Sequence, residues 1–161
     1  MFDHKFASKA TGQAPAKLIL IVEDDEEIGY LLMQVIHQET AHKAIHHINA
    51  RNALNAITRL APHLFIIDYS LPDINGLELH DWLQSFDHLK YSKTILMSAR
   101  NPPLEEISRR GILFIRKPFA VTKLLETIQN VLDRSDYTAC LICTLACLFP
   151  HAVEALCIPC P

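Results

Sequence analysis

The chain has 161 residues, 50% hydrophobic and 20% charged, which fits one ordinary globular domain with short extensions and excludes wholesale disorder. A formal net charge of −3 excludes the broad basic surface of a nucleic-acid binder, so no direct nucleic-acid partner is expected. Residues Met1 to Lys17 carry Asp3, Lys5, Lys9 and Lys17 with no apolar stretch, and no later window is long enough to span a membrane, so neither a secretory signal nor a transmembrane segment is expected.

In chain order, residues 1–16 are polar and small and read as a flexible lead-in. Leu18 to Val22 is a continuous apolar run ending in acids, the pattern of a strand buried on both faces. Ile28, Leu31, Leu32, Val35 and Ile36 recur at helical spacing, and Ala44 to Ile48 is a weaker strand. A second helical stripe runs from Ala53 through Leu54, Ala56 and Ile57 to Leu60, and Leu64 to Ile67 is a strand ending in Asp68. The turn-like segment 71–76 leads to a helix marked by Leu79, Trp82, Leu83 and Phe86, followed by a strand over Thr94 to Met97. Pro102 and Pro103 stand where the next helix should start, leaving Leu104 to Arg110 for about two turns before Gly111 ends it. Ile112 to Ile115 is the last strand, Lys117-Pro118 follows, and Val121, Leu124, Leu125, Ile128, Val131 and Leu132 form a strongly amphipathic helix.

Strands alternating with helices imply an α/β domain over 17–135, with a parallel sheet and helices on both faces. In such sheets ligands bind outside the carboxyl ends of the strands. Glu23, Asp24 and Asp25 follow the first strand, Asp68 the third, Ser98 the fourth and Lys117 the fifth, so these groups should share one crevice. Carboxylates gathered there need a cation, and oxygen ligands beside open positions suit Mg²⁺. Acids, an ammonium and a hydroxyl together suit phosphoryl transfer, with Asp68, alone at its strand end, as the acceptor in an acyl phosphate.

The segments "LILIVEDDEE" at 18–27, "LFIIDYSLPDINGLEL" at 64–79, "TILMSA" at 94–99 and "FIRKPF" at 114–119 resemble the receiver domain of two-component response regulators. The resemblance implies a flavodoxin-like (βα)5 doubly wound sheet of order 2-1-3-4-5. It implies that Asp68 is the phosphoacceptor and a metal ligand, Asp24 a direct Mg²⁺ ligand, and Glu23 a ligand through water. The Ser70 backbone carbonyl completes that implied set, while Asp25 caps the first helix. Ser98 and Lys117 match the residues that contact the phosphoryl group, Ser98 and Phe114 the switch pair, and Ser70 and Arg100 the positions that tune acyl-phosphate lifetime. The bond to Pro118 is cis in the family.

The expected protein is a stand-alone receiver, phosphorylated by a histidine kinase or histidine phosphotransfer protein and signalling to an unidentified downstream protein, or passing the group along a phosphorelay. It catalyses its own phosphoryl acceptance and loss without being a turnover enzyme. The residues after 134 are too few for a helix-turn-helix output domain. One alternative is a phosphorylation-independent adaptor, kept open by the short fourth helix. Another is an aspartyl-phosphate phosphatase, disfavoured because Ser70 stands where that chemistry wants a second acid.

Among nine histidines, His42, His46 and His47 invite a metal hypothesis, but strand alternation separates His46 from His47, and solvated histidines on an edge strand are expected instead. All five cysteines lie between Cys140 and Cys160, so the body reads as a reduced, cytoplasmic domain. The tail, 136–161, carries CxxC pairs at Cys140/Cys143 and Cys157/Cys160 with Cys147 between, yet the intervening sequence lacks the polar residues of a zinc knuckle. Zinc binding or cysteine acylation stays open there; a poorly ordered apolar extension is expected.

Overall fold

The computed structural model describes residues 15–133, so the expectations for most of the lead-in and for the Cys-rich tail lie outside the described residues. The elements alternate as expected: β1 (Leu18–Val22), α1 (Glu26–Glu39), β2 (Lys43–His47), α2 (Ala50–Ala56), β3 (Leu64–Asp68), α3 (Gly76–Gln84), β4 (Lys93–Ser98), α4 (Leu104–Arg109) and β5 (Leu113–Arg116). A short 3-10 turn, Asp87–Leu89, precedes β4, and α5 runs over 121–133. The strands form one parallel sheet of order β2-β1-β3-β4-β5.

Strand alternation divides the core in two. Leu20, Val22, Phe65 and Ile67 pack with α2, α3 and α4, whereas Ile19, Ile21, Leu64 and Ile66 pack with α1 and α5. Those eight side chains are fully buried. At roughly 1.5–3 kcal/mol for each large apolar side chain, this two-faced burial makes the central strands the rigid frame of the molecule.

The helix ends follow their sequences. Asp25 caps α1 by accepting from the Glu27 and Ile28 amides, both at 3.0 Å, as its position suggested. Asn75 and Glu78 form a capping box at the start of α3. The fourth helix is as short as its prolines imply, with Pro103 at the N-cap and no side-chain cap bond. Gly111 ends it at φ 66°, a left-handed conformation that favours glycine. The Arg110 guanidinium then ties this end to α3, with Asp81 oxygens at 2.7 and 2.9 Å.

Four expectations need correction. The stripe drawn to Leu60 overruns α2, which stops at Ala56; the Thr58 hydroxyl bonds the Asn55 carbonyl at 2.8 Å and the chain turns away. The third helix stops at Gln84, short of Phe86, one of the residues expected to mark it; Trp82 on α3 and Phe86 beyond it are 51% and 38% exposed. β2 and β5 are each shifted by one residue, so Ile48 lies beyond β2 and Arg116 ends β5. Finally, β2 is an edge strand, but its histidines are not simply solvated. His42, His46 and His47 are half-buried; His42 Nδ1 accepts from the Lys17 amide at 3.3 Å, and His46 bonds the Glu23 carbonyl. His46 faces α1 and His47 lies beside Asn52 and Asn55 of α2, the opposite-face arrangement expected.

One buried histidine makes stability depend on pH. His80 on α3 pairs its Nδ1 with the Thr94 hydroxyl at 2.9 Å, and burial holds its pKa below the ordinary histidine value. A folded pKa below the unfolded one favours the neutral ring, so stability is retained above about pH 6.5 and falls as pH drops toward the lower folded value. His80→Gln should therefore give a shallower loss of urea-unfolding stability between pH 7 and 5, with His42 and His47 accounting for a remainder. An unchanged slope would remove His80 from the pH response.

Candidate functional site

The ladder registers bring the carboxyl ends of four strands to one level: Val22 pairs with Ile67, Asp68 with Met97 and Ser98 with Arg116. Where the ladders end, the backbone stays tethered. Tyr69 donates to the Met97 carbonyl and Lys117 to the Ser98 carbonyl, both at 2.8 Å. The Lys117-Pro118 bond is cis, as expected.

These tethers gather the side chains that the sequence singled out. Lys117 Nζ donates to Asp68 Oδ1 and to Glu23 Oε2, each at 2.6 Å. Asp68 Oδ2 accepts from the Ser70 amide at 2.6 Å, so both carboxylate oxygens of Asp68 are held. Glu23, Asp24 and Asp68 each offer an oxygen within 4.8 Å of the others. Glu23 and Asp68 are buried while Asp24 is exposed, which makes Asp24 the solvent-facing side of the trio. Three hard oxygen donors with an open side fit a divalent cation that keeps part of its water shell.

Burial is the main force on the ionisation of Glu23, raising its pKa against the opposing hydrogen bond and charge of Lys117, while Asp68 and Asp24 add repulsion. For Lys117, burial pulls the pKa down, but the bonds to Asp68 and Glu23 outweigh it and hold the ammonium above the ordinary lysine value. The bridge thus favours the charged ammonium, whereas for Glu23 it offsets only part of the cost of burial.

Ser98 is fully buried at the end of β4, its hydroxyl accepting from the Arg100 amide at 2.9 Å and keeping its own proton to donate. Phe114 on β5 is half-buried and packs against the α2, α3 and α4 side of the core. Glu23 also bonds Lys117 directly, a contact that the sequence alone does not announce. Two further residues escaped that reading. Gly76 lies where a Cβ would come within 2.6 Å of the Asp68 carbonyl, so the turn 71–76 folds tightly over the site only with glycine there. His46 reaches the Glu23 carbonyl from β2. Its signal in the sequence was Gly29, an isolated glycine inside a helix, which marks a close approach.

A doubly wound sheet of this order, with acids at two strand ends and a lysine bridging them, defines a class: the chain belongs to the response regulator receiver domain family, whose pattern it matches over residues 19–129. Among individual relatives, it is 30% identical over 119 residues to the polar-differentiation response regulator DivK of Brucella anthropi, covering 72% of this chain and 96% of that one. A CheY-like response regulator receiver domain protein from Methanospirillum hungatei superposes with a TM-score of 0.71 at 26% identity, covering 77% of this chain and 99% of that one. The chemotaxis response regulator CheY4 of Vibrio cholerae shares the fold, with a TM-score of 0.67 at 20% identity over 73% of this chain and 99% of its own. Among the described residues, no helix is long and apolar enough to cross a membrane.

The bridge makes a direct prediction. Lys117→Met removes the compensating cation while leaving Glu23 buried beside two other carboxylates, so the Glu23 pKa should rise further in a carbon-detected NMR titration. A Glu23 titration unmoved by the substitution would show that the bridge does not govern the pocket's charge.

Proposed function

We propose that the chain is a response regulator receiver that accepts a phosphoryl group on Asp68 from a histidine kinase or histidine phosphotransfer protein. The observation that carries this reading is the Lys117 bridge, which aims an ammonium at Asp68 Oδ1 in a crevice of oxygen donors. A carboxylate is a competent phosphoryl acceptor when the charge developing around phosphorus is neutralised.

In the transfer, an Asp68 carboxylate oxygen forms a bond to phosphorus as the bond from phosphorus to the donor imidazole nitrogen breaks. The imidazole keeps that electron pair. Lys117 is placed to exchange one carboxylate contact for a phosphoryl oxygen, and the Ser98 hydroxyl to donate to another. The Ser70 amide on Asp68 Oδ2 orients the carboxylate beforehand. Asp24, Asp68 and the Ser70 carbonyl would hold Mg²⁺, with Glu23 acting through water, and the ion supplies positive charge to the phosphoryl oxygens when bound. Water attack on phosphorus later returns Asp68 and releases phosphate. The protein thus promotes one acceptance and one loss per cycle, in the cytoplasm where phosphohistidine donors occur.

Output would follow from the surface of α4, β5 and α5, with Ser98 and Phe114 acting as the switch pair, or from onward transfer in a phosphorelay. The six-residue α4, with no side-chain cap, is the observation favouring a second reading, an adaptor that binds partners without phosphorylation.

The test is incubation with acetyl phosphate and Mg²⁺, followed by intact-mass spectrometry. The wild-type chain should gain one phosphoryl group, Asp68→Asn should gain none, and chelation of Mg²⁺ should abolish the gain. An unmodified wild type would overturn this reading in favour of the adaptor, and rapid turnover of free phosphate esters would favour a phosphatase.

A further inference from the structure

We propose that His46 is a positioning residue for the acidic pocket: from the edge strand it fixes the Glu23–Asp24 peptide and thereby sets the pocket's affinity for Mg²⁺. The inference rests on the phosphoacceptor reading above and extends it to a residue outside the strand ends.

The imidazole occupies a niche that exists only because α1 carries a glycine. A Cβ on Gly29 would lie 2.1 Å from His46 Nε2, 2.3 Å from Cε1 and 2.5 Å from Cδ2. No side chain fits at position 29 with the ring in place. Gly29 has no positive φ, so backbone conformation does not call for glycine there; the space for the ring does. An interior glycine destabilises a helix relative to alanine, and the ring's placement accounts for its presence here.

Seated against the helix backbone, the ring brings Nε2 to 2.7 Å from the Glu23 carbonyl oxygen. A carbonyl only accepts, so Nε2 carries the proton and donates. The neighbouring β2 residue acts on the other end of the same residue: the Glu23 amide donates to the His47 carbonyl at 3.1 Å. The β1–β2 ladder pairs only as far as Val22 with His47, so Glu23 is the first residue beyond it. Consecutive residues of β2 therefore clamp both backbone groups of Glu23 where the strand gives way to the loop.

The Glu23 carbonyl belongs to the peptide unit that leads into Asp24. Peptide planarity makes that unit rigid, so fixing its oxygen fixes the direction in which Asp24 leaves the strand. Asp24 is the exposed member of the oxygen trio and has the least packing of its own to hold it. His46 thus acts as an outer partner of the donor set, the kind of contact whose loss weakens a metal site without removing a ligand.

The test titrates Mg²⁺ alone into the full chain by calorimetry, using wild type, His46→Ala, His46→Gln and Gly29→Ala. The metal-free Asp24 amide resonance and thermal unfolding are followed in parallel. His46→Ala should bind Mg²⁺ roughly tenfold more weakly and shift the Asp24 amide. His46→Gln, which keeps an N–H for the carbonyl, should recover most of that affinity. Gly29→Ala keeps the imidazole but fills its niche, and should reproduce the loss; it and the glutamine variant carry the comparison if the alanine variant does not fold. A lower unfolding midpoint with unchanged Mg²⁺ affinity would reduce His46 to packing and overturn the proposal. Wild type binding Mg²⁺ with all variants equal would overturn the His46 assignment alone. A wild type that binds no Mg²⁺ would overturn both this assignment and the Mg²⁺-dependent reading on which it rests.

Discussion

Lys117 donates to Glu23 and Asp68 across sequence separations of 94 and 49 residues, and the geometry of the crevice depends on that bridge. Two buried carboxylates beside a third repel one another, and a lone buried ammonium is as costly as a lone buried carboxylate. Set together, the ammonium gains two hydrogen-bonded carboxylate partners and the carboxylates a cation between them. The arrangement requires β1, β3, β4 and β5 to end at one level, which the continuous registers across the sheet provide. It also requires the loops to be pinned: Ser98 holds Lys117, Met97 holds Tyr69, and Gly76 lets the β3–α3 turn close against Asp68.

The frame behind the crevice is stiff for a simple reason. β1 and β3 are central strands buried on both faces, so their ends have little freedom to move. At one edge of the sheet β2 contributes the histidines; at the other, β5 leads from α4, a helix of six residues held to α3 through Arg110, Asp81 and Glu106. A short helix fastened at its end by exposed ion pairs can be rearranged at much less cost than a central strand. Rigid chemistry at the centre and adjustable surface at the edge suit a domain that is modified in one place and read in another.

Much of this was legible in the sequence because the informative patterns are local. A run such as Leu18 to Val22, ending in acids, announces both a buried strand and the polar groups at its end. The strand order came from the resemblance, since alternation alone does not choose among parallel arrangements. Features created by packing were harder to see. Helical spacing placed Trp82 in an apolar stripe, but periodicity does not say which stripe meets the core, and Trp82 faces outward. The direct contact of Glu23 with Lys117 has no local signature at all. His46 was judged by its adjacency to His47, when the telling residue was Gly29 seventeen positions earlier, whose missing side chain is the space that the ring fills.

The central claim is that the bridge of Lys117 makes Asp68 the phosphoacceptor. The most direct measurement is to phosphorylate the chain from a phosphohistidine protein with Mg²⁺, reduce the acyl phosphate with borohydride, and locate the reduced residue by peptide mass spectrometry. The account predicts homoserine at position 68 in the wild-type chain and a severe loss of that product in Lys117→Ala. Reduction at Asp24 or Asp25 instead, or full product in the lysine variant, would contradict it.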